Sequence, residues 1–429
     1  MALHCFCGLD FGTSNSTIGI SKNHQIQMVV LEQGKPLLRS AVFFDYEYEK
    51  CILGQEGVTK FLTGTQGRLM MSLKSILGSS LMNEKTLIAN RWVSYNDIIG
   101  HLIRHLKIEA EKQLDHEITA VVMGRPVRFH DQDDKKDKLA EETLTKIAKN
   151  QGFQNILFQY EPIAAALAYE ATLTQEQLAL IVDLGGGTSD FSVIRLRPQT
   201  NGSSIIHAKQ QADRFEDVLA NKGIHIGGTD FDRLFSLKTV MPELGLGGKM
   251  QGITNQIQIP SSYYHDLTTW HTINSLYTYQ TRQVIRNIRD FALEKKPLER
   301  LLHVIENQQG HNILNEIEQG KCQLSLNTKT NLDFSFIESD FQMAIERKIF
   351  EEIIHSKVTQ LIQRLLETVK EAQIKNSDIQ SIFFTGGSTQ IPLIRNTIER
   401  LFLGAKIIQG DVFNSVGKGL IIDARNRFL

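Results

Sequence analysis

Gly8-Leu9-Asp10-Phe11-Gly12-Thr13-Ser14-Asn15-Ser16-Thr17, near the start of the chain, has a counterpart far downstream in Val182-Asp183-Leu184-Gly185-Gly186-Gly187-Thr188-Ser189-Asp190. Each stretch passes from an apolar run through Asp and Gly to a hydroxyl residue, then into a second β-rich run. That is the sequence of a β-hairpin with a tight glycine turn. Such a turn lets backbone N–H groups approach phosphate oxygens with no Cβ in the way. Thr13, Ser14 and Thr188 add hydroxyl donors to the same oxygens. Asp10 and Asp183 close each strand just before its turn. Aimed from two sides, they can hold a hydrated Mg²⁺, which keeps several waters and takes few carboxylates. One such motif could be an ordinary hairpin. The pair, with Gly227-Gly228 and Gly386-Gly387, predicts a duplicated α/β fold that clamps a nucleotide between its halves.

Between the two turns, residues 29–31 and 41–44 read as strands, and 97–114 as a helix with apolar positions at Ile98, Ile99, Leu102, Ile103, Leu106 and Ile108. Thr119 to Pro126 is a buried strand stopped by Gly and Pro, and 131–151 a charged helix closed by Gly152. Residues 157–162 form a short strand, and an alanine-rich helix follows from Ile163. Strand and helix alternate before another hairpin, the order expected of repeated α/β lobes. A third glycine turn, Gly223 to Asp232, leads into a helix. Residues 237–268 read as an irregular surface excursion. Helices are expected at 277–292, 298–308 and 313–324, then a short β pair, then one long or two stacked helices over 338–373. Residues 382–385 read as the last buried strand and 391–402 as the last helix.

The 429 residues are 41% hydrophobic and 22% charged, enough for two or more subdomains with ample cores. A net charge of −1 carries no electrostatic footprint for nucleic acid or an anionic membrane. No apolar run is long enough to span a bilayer, and the N-terminus lacks a signal peptide, so a soluble, cytoplasmic protein is expected. Four cysteines make no disulfide framework. Cys5 and Cys7 point to one face of a strand and read as small core residues rather than metal ligands. The histidines suggest no metal cluster, and His225 in the third turn reads as structural.

These residues resemble the nucleotide-binding domain of DnaK-type heat-shock chaperones, within the wider actin, hexokinase and chaperone ATPase superfamily. The matches run in order along nearly the whole chain. Gly8 to Ser16 resembles the first phosphate motif, and Leu73-Lys74-Ser75-Ile76-Leu77-Gly78 the family's lysine segment. Ala120 to Pro126, followed by Phe129 and Asp131, is similar to its strand-proline motif. Tyr160-Glu161-Pro162-Ile163-Ala164-Ala165-Ala166-Leu167-Ala168-Tyr169 closely matches its glutamate-proline-alanine helix. Val182 to Val193 resembles the second phosphate motif, His225 to Asp232 the following glycine turn, and Glu318 to Ser325 with Phe384 to Pro392 the two adenosine segments.

The resemblance implies an α/β, two-lobed actin-like ATPase fold, with duplicated ribonuclease H-like domains and smaller outer subdomains. Lobe I is expected over 1–178 and lobe II over 179–380, with an enlarged outer subdomain at about 237–312. A C-terminal segment, 381–429, would close the adenosine site and pack back on the core. It implies ATP or ADP with Mg as ligands and slow Mg-dependent ATP hydrolysis. Lys74 would meet the γ-phosphate and the attacking water; Glu161 and Asp183 would orient that water, with Asp10 and Thr188 also catalytic. Gly12, Thr13, Ser14, Asn15, Gly185, Gly186, Gly187, Gly227 and Gly228 would line the phosphates. Glu318, Lys321, Cys322 and Ser325 on one helix would hold ribose and adenine, with Gly386, Gly387, Ser388, Gln390 and Ile391 on the other side. From the residues alone, a solvated surface pair is the preferred reading of Lys74 and Glu161.

Four departures from the family pattern stand out. Cys322 replaces an arginine that stacks on adenine, and Gln390 replaces another, which weakens the expected hold on nucleotide. The acidic turn between Gly410 and Gly419 is loosely matched, with Asp411, Asn414 and Ser415 as unassigned candidates. The chain between Asp232 and Glu318 is longer than the family spacing, with the extra length including 245–262, where the family receives nucleotide-exchange partners. The chain ends at Leu429, where the family's linker and peptide-binding domain would begin, which resembles the short, YegD-like branch of the family. A protein partner or cochaperone that senses lobe closure is therefore expected, without a built-in peptide-binding domain. The alternative is an actin-like scaffold or filament protein; a small-molecule kinase lacks an evident extra acceptor-side Asp.

Overall fold

Phe6-Cys7-Gly8-Leu9-Asp10-Phe11 is apolar on both faces apart from its aspartate, and as strand β1 (Phe6–Phe11) it is covered on both faces. The computed structural model describes residues 5–22, 25–130, 133–198, 214–252, 255–270, 272–408 and 415–428. With β2 (Asn15–Lys22), β3 (Gln25–Met28), β4 (Ala120–Arg125) and β5 (Asn155–Tyr160), β1 builds a sheet of order β3-β2-β1-β4-β5. Strands β1 to β3 run antiparallel in sequence; β4 and β5 join parallel to β1. A second sheet contains β6 (Gln177–Leu184), β7 (Ser189–Leu196), β8 (Val218–Ile224), β9 (Ser381–Thr385) and β10 (Lys406–Ile408), in the order β8-β7-β6-β9-β10. Its strand directions repeat those of the first. Two sheets of one topology, each begun by a glycine hairpin, are the duplication read from the sequence.

The helix Tyr95–Leu114 begins at Ser94, whose hydroxyl accepts the Asp97 N–H, and lays Ile98, Leu102, Ile103 and Leu106 against the first sheet's core of Leu9, Ile18 and Val121. Cys7 lies inside that core, with Cys5 packed at its margin. Asp133 caps the next helix, Asp134–Asn150, by accepting from the N–H groups of Lys135 and Lys136. Arg125, at the end of β4, binds Asp137 and Glu141 of that helix and lies over the rings of Phe129 and Tyr160. On the other side of β1 the helix Ser415–Phe428 buries Val416, Leu420, Ile421 and Ala424 with Ala164 and Ala165 of the helix Glu161–Glu170. A Cβ on Gly419 would stand 1.7 Å from the Ala164 carbonyl oxygen, so only glycine permits this approach.

By compactness the chain forms two units. Met1–His225, Ile362–Thr389 and Thr397–Leu429 make the first, which contains both sheets; Ile226–Leu361 and Gln390–Asn396 make the second. The second unit carries the helices Gly228–Glu243, Ser262–Leu267, Tyr279–Phe291, Lys295–Glu306 and Gly310–Leu326. Its two hairpins are Lys249–Gln251 with Gln256–Gln258, and Lys329–Asp333 with Gln342–Glu346. Among the described residues no helix is long and apolar enough to cross a membrane.

Four local readings need correction. Residues 29–31 are not a strand: the ladder with β2 covers Gln25–Met28 and ends there. Residues 237–268 are not irregular: the helix runs on to Glu243, accommodating Pro242 in its last turn, and a hairpin and a short helix follow. Residues 338–346 are not helical. Asp340 takes a left-handed conformation (φ 64°), Phe341 N donates to Glu338 O at 3.0 Å, and pairing with Lys329–Asp333 draws Gln342–Glu346 into a strand. The chain also does not end its structure at 402. A further strand and the buried helix Ser415–Phe428 follow, the helix hidden in sequence because Gly417 and Gly419 read as turn residues. Asp131, Gly410, Asp411 and Asn414 lie outside the described residues, as does the end of the chain at Leu429; Ser415 opens the last helix.

Candidate active site

The first turn, between β1 and β2, is held from below. Ser40 N donates to Ser14 O at 2.8 Å, the Ser40 hydroxyl donates to Gly12 O at 2.8 Å, and Ser16 Oγ lies 2.8 Å from Ser40 Oγ. Ser16 and Ser40 are buried, so this small polar cluster fixes the loop from inside the fold. The second turn is closed by Gly185 N donating to Thr188 O at 2.9 Å. The two turns face each other within the first unit: a Cβ on Gly186 would stand 2.3 Å from Ser14 Oγ. Thr13 and Asn15 are half-buried, Ser14 and Thr188 exposed, and the space beside Gly187 is open.

Lys74 sits in a single 3-10 turn, Leu73–Ile76. Its ammonium lies 2.6 Å from Glu161 Oε1, and the two side chains are only 10% and 13% exposed. That disposes of the solvated-surface reading. Glu161 is the first residue of its helix and Pro162 the second, where a missing N–H costs nothing. Glu161 and Asp10 flank Gly124: a Cβ there would meet Glu161 Cγ at 3.3 Å and Asp10 Oδ1 at 3.5 Å. Gly124 thus leaves room for two carboxylates beside one strand, as a mid-strand glycine often does.

The charges report the same crowding. Burial, then the Glu161 carboxylate, pushes Asp10 up to about 7, against the pull of Lys74. Burial and Glu161 likewise push Asp183 up to about 6. Burial opposes the charge on Lys74, but Glu161 and Asp10 outweigh it and raise its pKa. Three carboxylates around one ammonium leave an excess of negative charge that a cation relieves. Two of them, Asp10 and Asp183, end strands beside the glycine turns, so the donor set fits an oxygen-preferring Mg²⁺.

Gly386, with φ +77°, and Gly387 follow β9 in the first unit, and Ser388 Oγ lies 3.5 Å from Gly185 O. The remaining predicted residues belong to the second unit. There Asp230 caps Gly227 N at 2.9 Å, and Gly228 opens the helix. Lys321 is pinned by Asp232 Oδ2 at 2.6 Å, with Gly228 O at 3.3 Å, and Ser325 Oγ donates to Lys321 O at 3.1 Å. Glu318 is half-buried and Cys322 exposed on that helix. Ile391 is buried, its carbonyl accepting from Ile394 N and Arg395 N; Gln390 is half-buried. The two glycine turns, Lys74, Glu161 and Gly386 to Ser388 are therefore brought together in the first unit, whereas Gly227, Gly228 and the other adenosine-side residues lie in the second. Sequence reasoning missed Ser16, Ser40, Gly124 and Thr385 as supports; only Gly124 carried a signal, as a glycine within a predicted strand.

The sequence model of the family described as Hsp70 protein matches residues 6–237 and 286–412. The interval it leaves out includes 245–262, the stretch read above as extra length. The chain is 24% identical over 414 residues to the chaperone protein DnaK of Ureaplasma urealyticum serovar 10. It is 24% identical over 413 residues to that of Ureaplasma parvum serovar 3. Each alignment covers 94% of this chain and 55% of the relative, so the chain spans about half the length of these relatives. With the family model matched over most of the chain, and two sheets of one topology each opened by a glycine hairpin, the protein belongs to the Hsp70 family and has its actin-like ATPase fold.

Proposed function

We propose that this chain binds ATP with Mg²⁺ and hydrolyses it slowly, and that the change of nucleotide state, through closure of the lobes, is read by a protein partner. The observation that carries the proposal is the buried Lys74–Glu161 pair beside Asp10 and Asp183, at the foot of two facing glycine turns. Backbone N–H groups of Gly12 and Gly185 to Gly187, with the Thr13 and Thr188 hydroxyls, bind the phosphate oxygens. Lys74 supplies positive charge where it develops on the transferred phosphoryl group, and Glu161 holds that ammonium in place. Asp183, with its pKa raised to about 6, accepts a hydrogen bond from the attacking water and can take its proton near neutral pH. Held by Asp10 and Asp183, mainly through water, Mg²⁺ would neutralise phosphate charge. Glu318, Lys321 and Ser325 hold the nucleoside. Cys322 offers no stacking guanidinium, so nucleotide affinity is modest.

Calorimetric titration of ATP and ADP with Mg²⁺, followed by phosphate release, tests this on wild type and Lys74→Ala. Wild type binds and hydrolyses; the variant binds but turns over about 10²–10³-fold more slowly. Absence of binding by wild type at millimolar nucleotide would refute the proposal.

A further inference from the structure

A small cavity adjoins the carboxylates Glu161 and Asp183. Its polar walls are Glu161, Asp183, Asp190, Ser192, Asn221 and Thr385. Strand register explains why they converge. Asp183 is paired with Asp190 across β6 and β7 and with Thr385 across β9, and Ser192 is paired with Asn221 on β8. Ile181 and Asp183 lie two apart on one face of β6, and Asp190 and Ser192 two apart on one face of β7. The cavity therefore runs along the sheet from Asp183 back to Ser192 and Asn221, whereas the phosphate turn continues forward from Leu184. Pro126, Val127 and Val416 add apolar lining.

Its volume is ≈ 20 Å³. A water needs about 10–15 Å³ and two to four polar partners. The partners are present. Thr385 is 4% exposed, and its hydroxyl lies near enough to Asp183 to favour the charged carboxylate, yet meets no partner at good hydrogen-bond geometry. A buried hydroxyl in that state is costly unless something completes its bonding. Ser192 is already engaged, its hydroxyl donating to Asn221 Oδ1 at 2.7 Å.

We infer that this cavity binds one ordered water, which hydrogen-bonds the Thr385 hydroxyl and the Asp183 carboxylate. Thr385 is then a positioning residue that acts on Asp183 through the water. The water holds the Asp183 carboxylate in one orientation. Its consequence for turnover rests on the ATPase reading; its existence does not.

Atomic-resolution crystal structures of wild type, Thr385→Ser and Thr385→Val, all without nucleotide, test the site directly. Wild type and Thr385→Ser should show a water within hydrogen-bond distance of residue 385 and Asp183, and Thr385→Val should not. Val416→Leu adds bulk to the cavity's apolar lining and should also expel it, which keeps the test sound if Thr385→Val folds poorly. In phosphate release, Thr385→Val and Val416→Leu should lower kcat by about tenfold with KM for ATP little changed, and Thr385→Ser should restore it. A dry wild-type cavity, or a Thr385→Val protein that keeps the water, overturns the inference whatever the turnover. Full kcat in both cavity variants with the water gone overturns the positioning role. If wild type shows the water but hydrolyses nothing, the site stands and the ATPase reading falls.

Discussion

Lys74 and Glu161 stand 87 positions apart in the chain, and meet as an ammonium and a carboxylate 2.6 Å apart. Both are largely buried, and Asp10 and Asp183 crowd the same place. A buried pair of this kind is expensive to break from the lysine side, because Glu161 is then left beside Asp10 and Asp183 without the ammonium that offsets their charge. Lys74→Ala should therefore destabilise the nucleotide-free protein by about 3–5 kcal/mol near pH 8. The double variant Lys74→Ala/Glu161→Gln should lose clearly less than the sum of the two single changes. Urea unfolding of the four proteins gives the coupling; strict additivity would show that the pair does not act as one.

The raised pKa of Asp10 makes a second prediction about stability. Its folded value of about 7 lies well above the ordinary 3.8. Between those values the folded protein binds more protons than the unfolded chain, so stability falls as pH rises through the window, and the full penalty stands above pH 7. Asp183, raised to about 6, contributes with the same sign. Asp10→Asn should raise the Tm of the nucleotide-free protein at pH 8, and the gain should fade as the pH falls toward 4, while phosphate release is lost. Thermal melts at a series of pH values decide this: a gain that does not change with pH contradicts the assignment.

Two glycines of the site should respond in opposite ways. At Gly386, φ is +77° and an added Cβ would stand 2.3 Å from Leu184 O. Gly386→Ala should cost more than about 2 kcal/mol of stability. Nothing lies within 4 Å of a Cβ at Gly187. Gly187→Ala should leave stability within about 0.5 kcal/mol but weaken ATP binding, because its methyl group intrudes where phosphate approaches. Melting curves and ATP calorimetry on both variants separate the two roles. Equal losses of stability would mean that the second turn is as tightly packed as Gly386.

Away from the site, Arg214 donates to both carboxylate oxygens of Glu170 at 2.7 Å and to Asp217 Oδ2 at 2.8 Å. Glu170 and Asp217 are only 3% and 4% exposed. Arg214→Met leaves both acids short of a partner and should cost about 3–5 kcal/mol. Arg214→Lys should recover only part of this, since an ammonium cannot reproduce the bidentate fork. Full recovery by lysine in denaturant unfolding would indicate that charge alone, not fork geometry, matters here.

The glycine hairpins were legible because a tight turn and its flanking strands are local. Spacing along the chain carries Asp10 with Gly12, and Asp183 with Gly185 to Gly187, whatever surrounds them. The helix Tyr95–Leu114 was legible for the same reason, through its apolar period. The strand Gln342–Glu346 was not: it exists because Lys329–Asp333 offers it a partner, and pairing overrides the local helical look. The helix Ser415–Phe428 was hidden by Gly417 and Gly419, which serve close packing against Thr17 and Ala164 rather than a turn.

By itself, then, the sequence determined the two glycine turns, the duplicated sheet plan and the identity of the charged groups, all properties of short segments with fixed spacing. Only the tertiary structure decided that Lys74 is a buried partner of Glu161, that Gly124 makes room for Asp10 and Glu161 together, that Ser40 anchors the first turn, and that Thr385 and Asp183 line one cavity. Those relationships join residues far apart in the chain. Their energies depend on burial and on neighbours that no local pattern records.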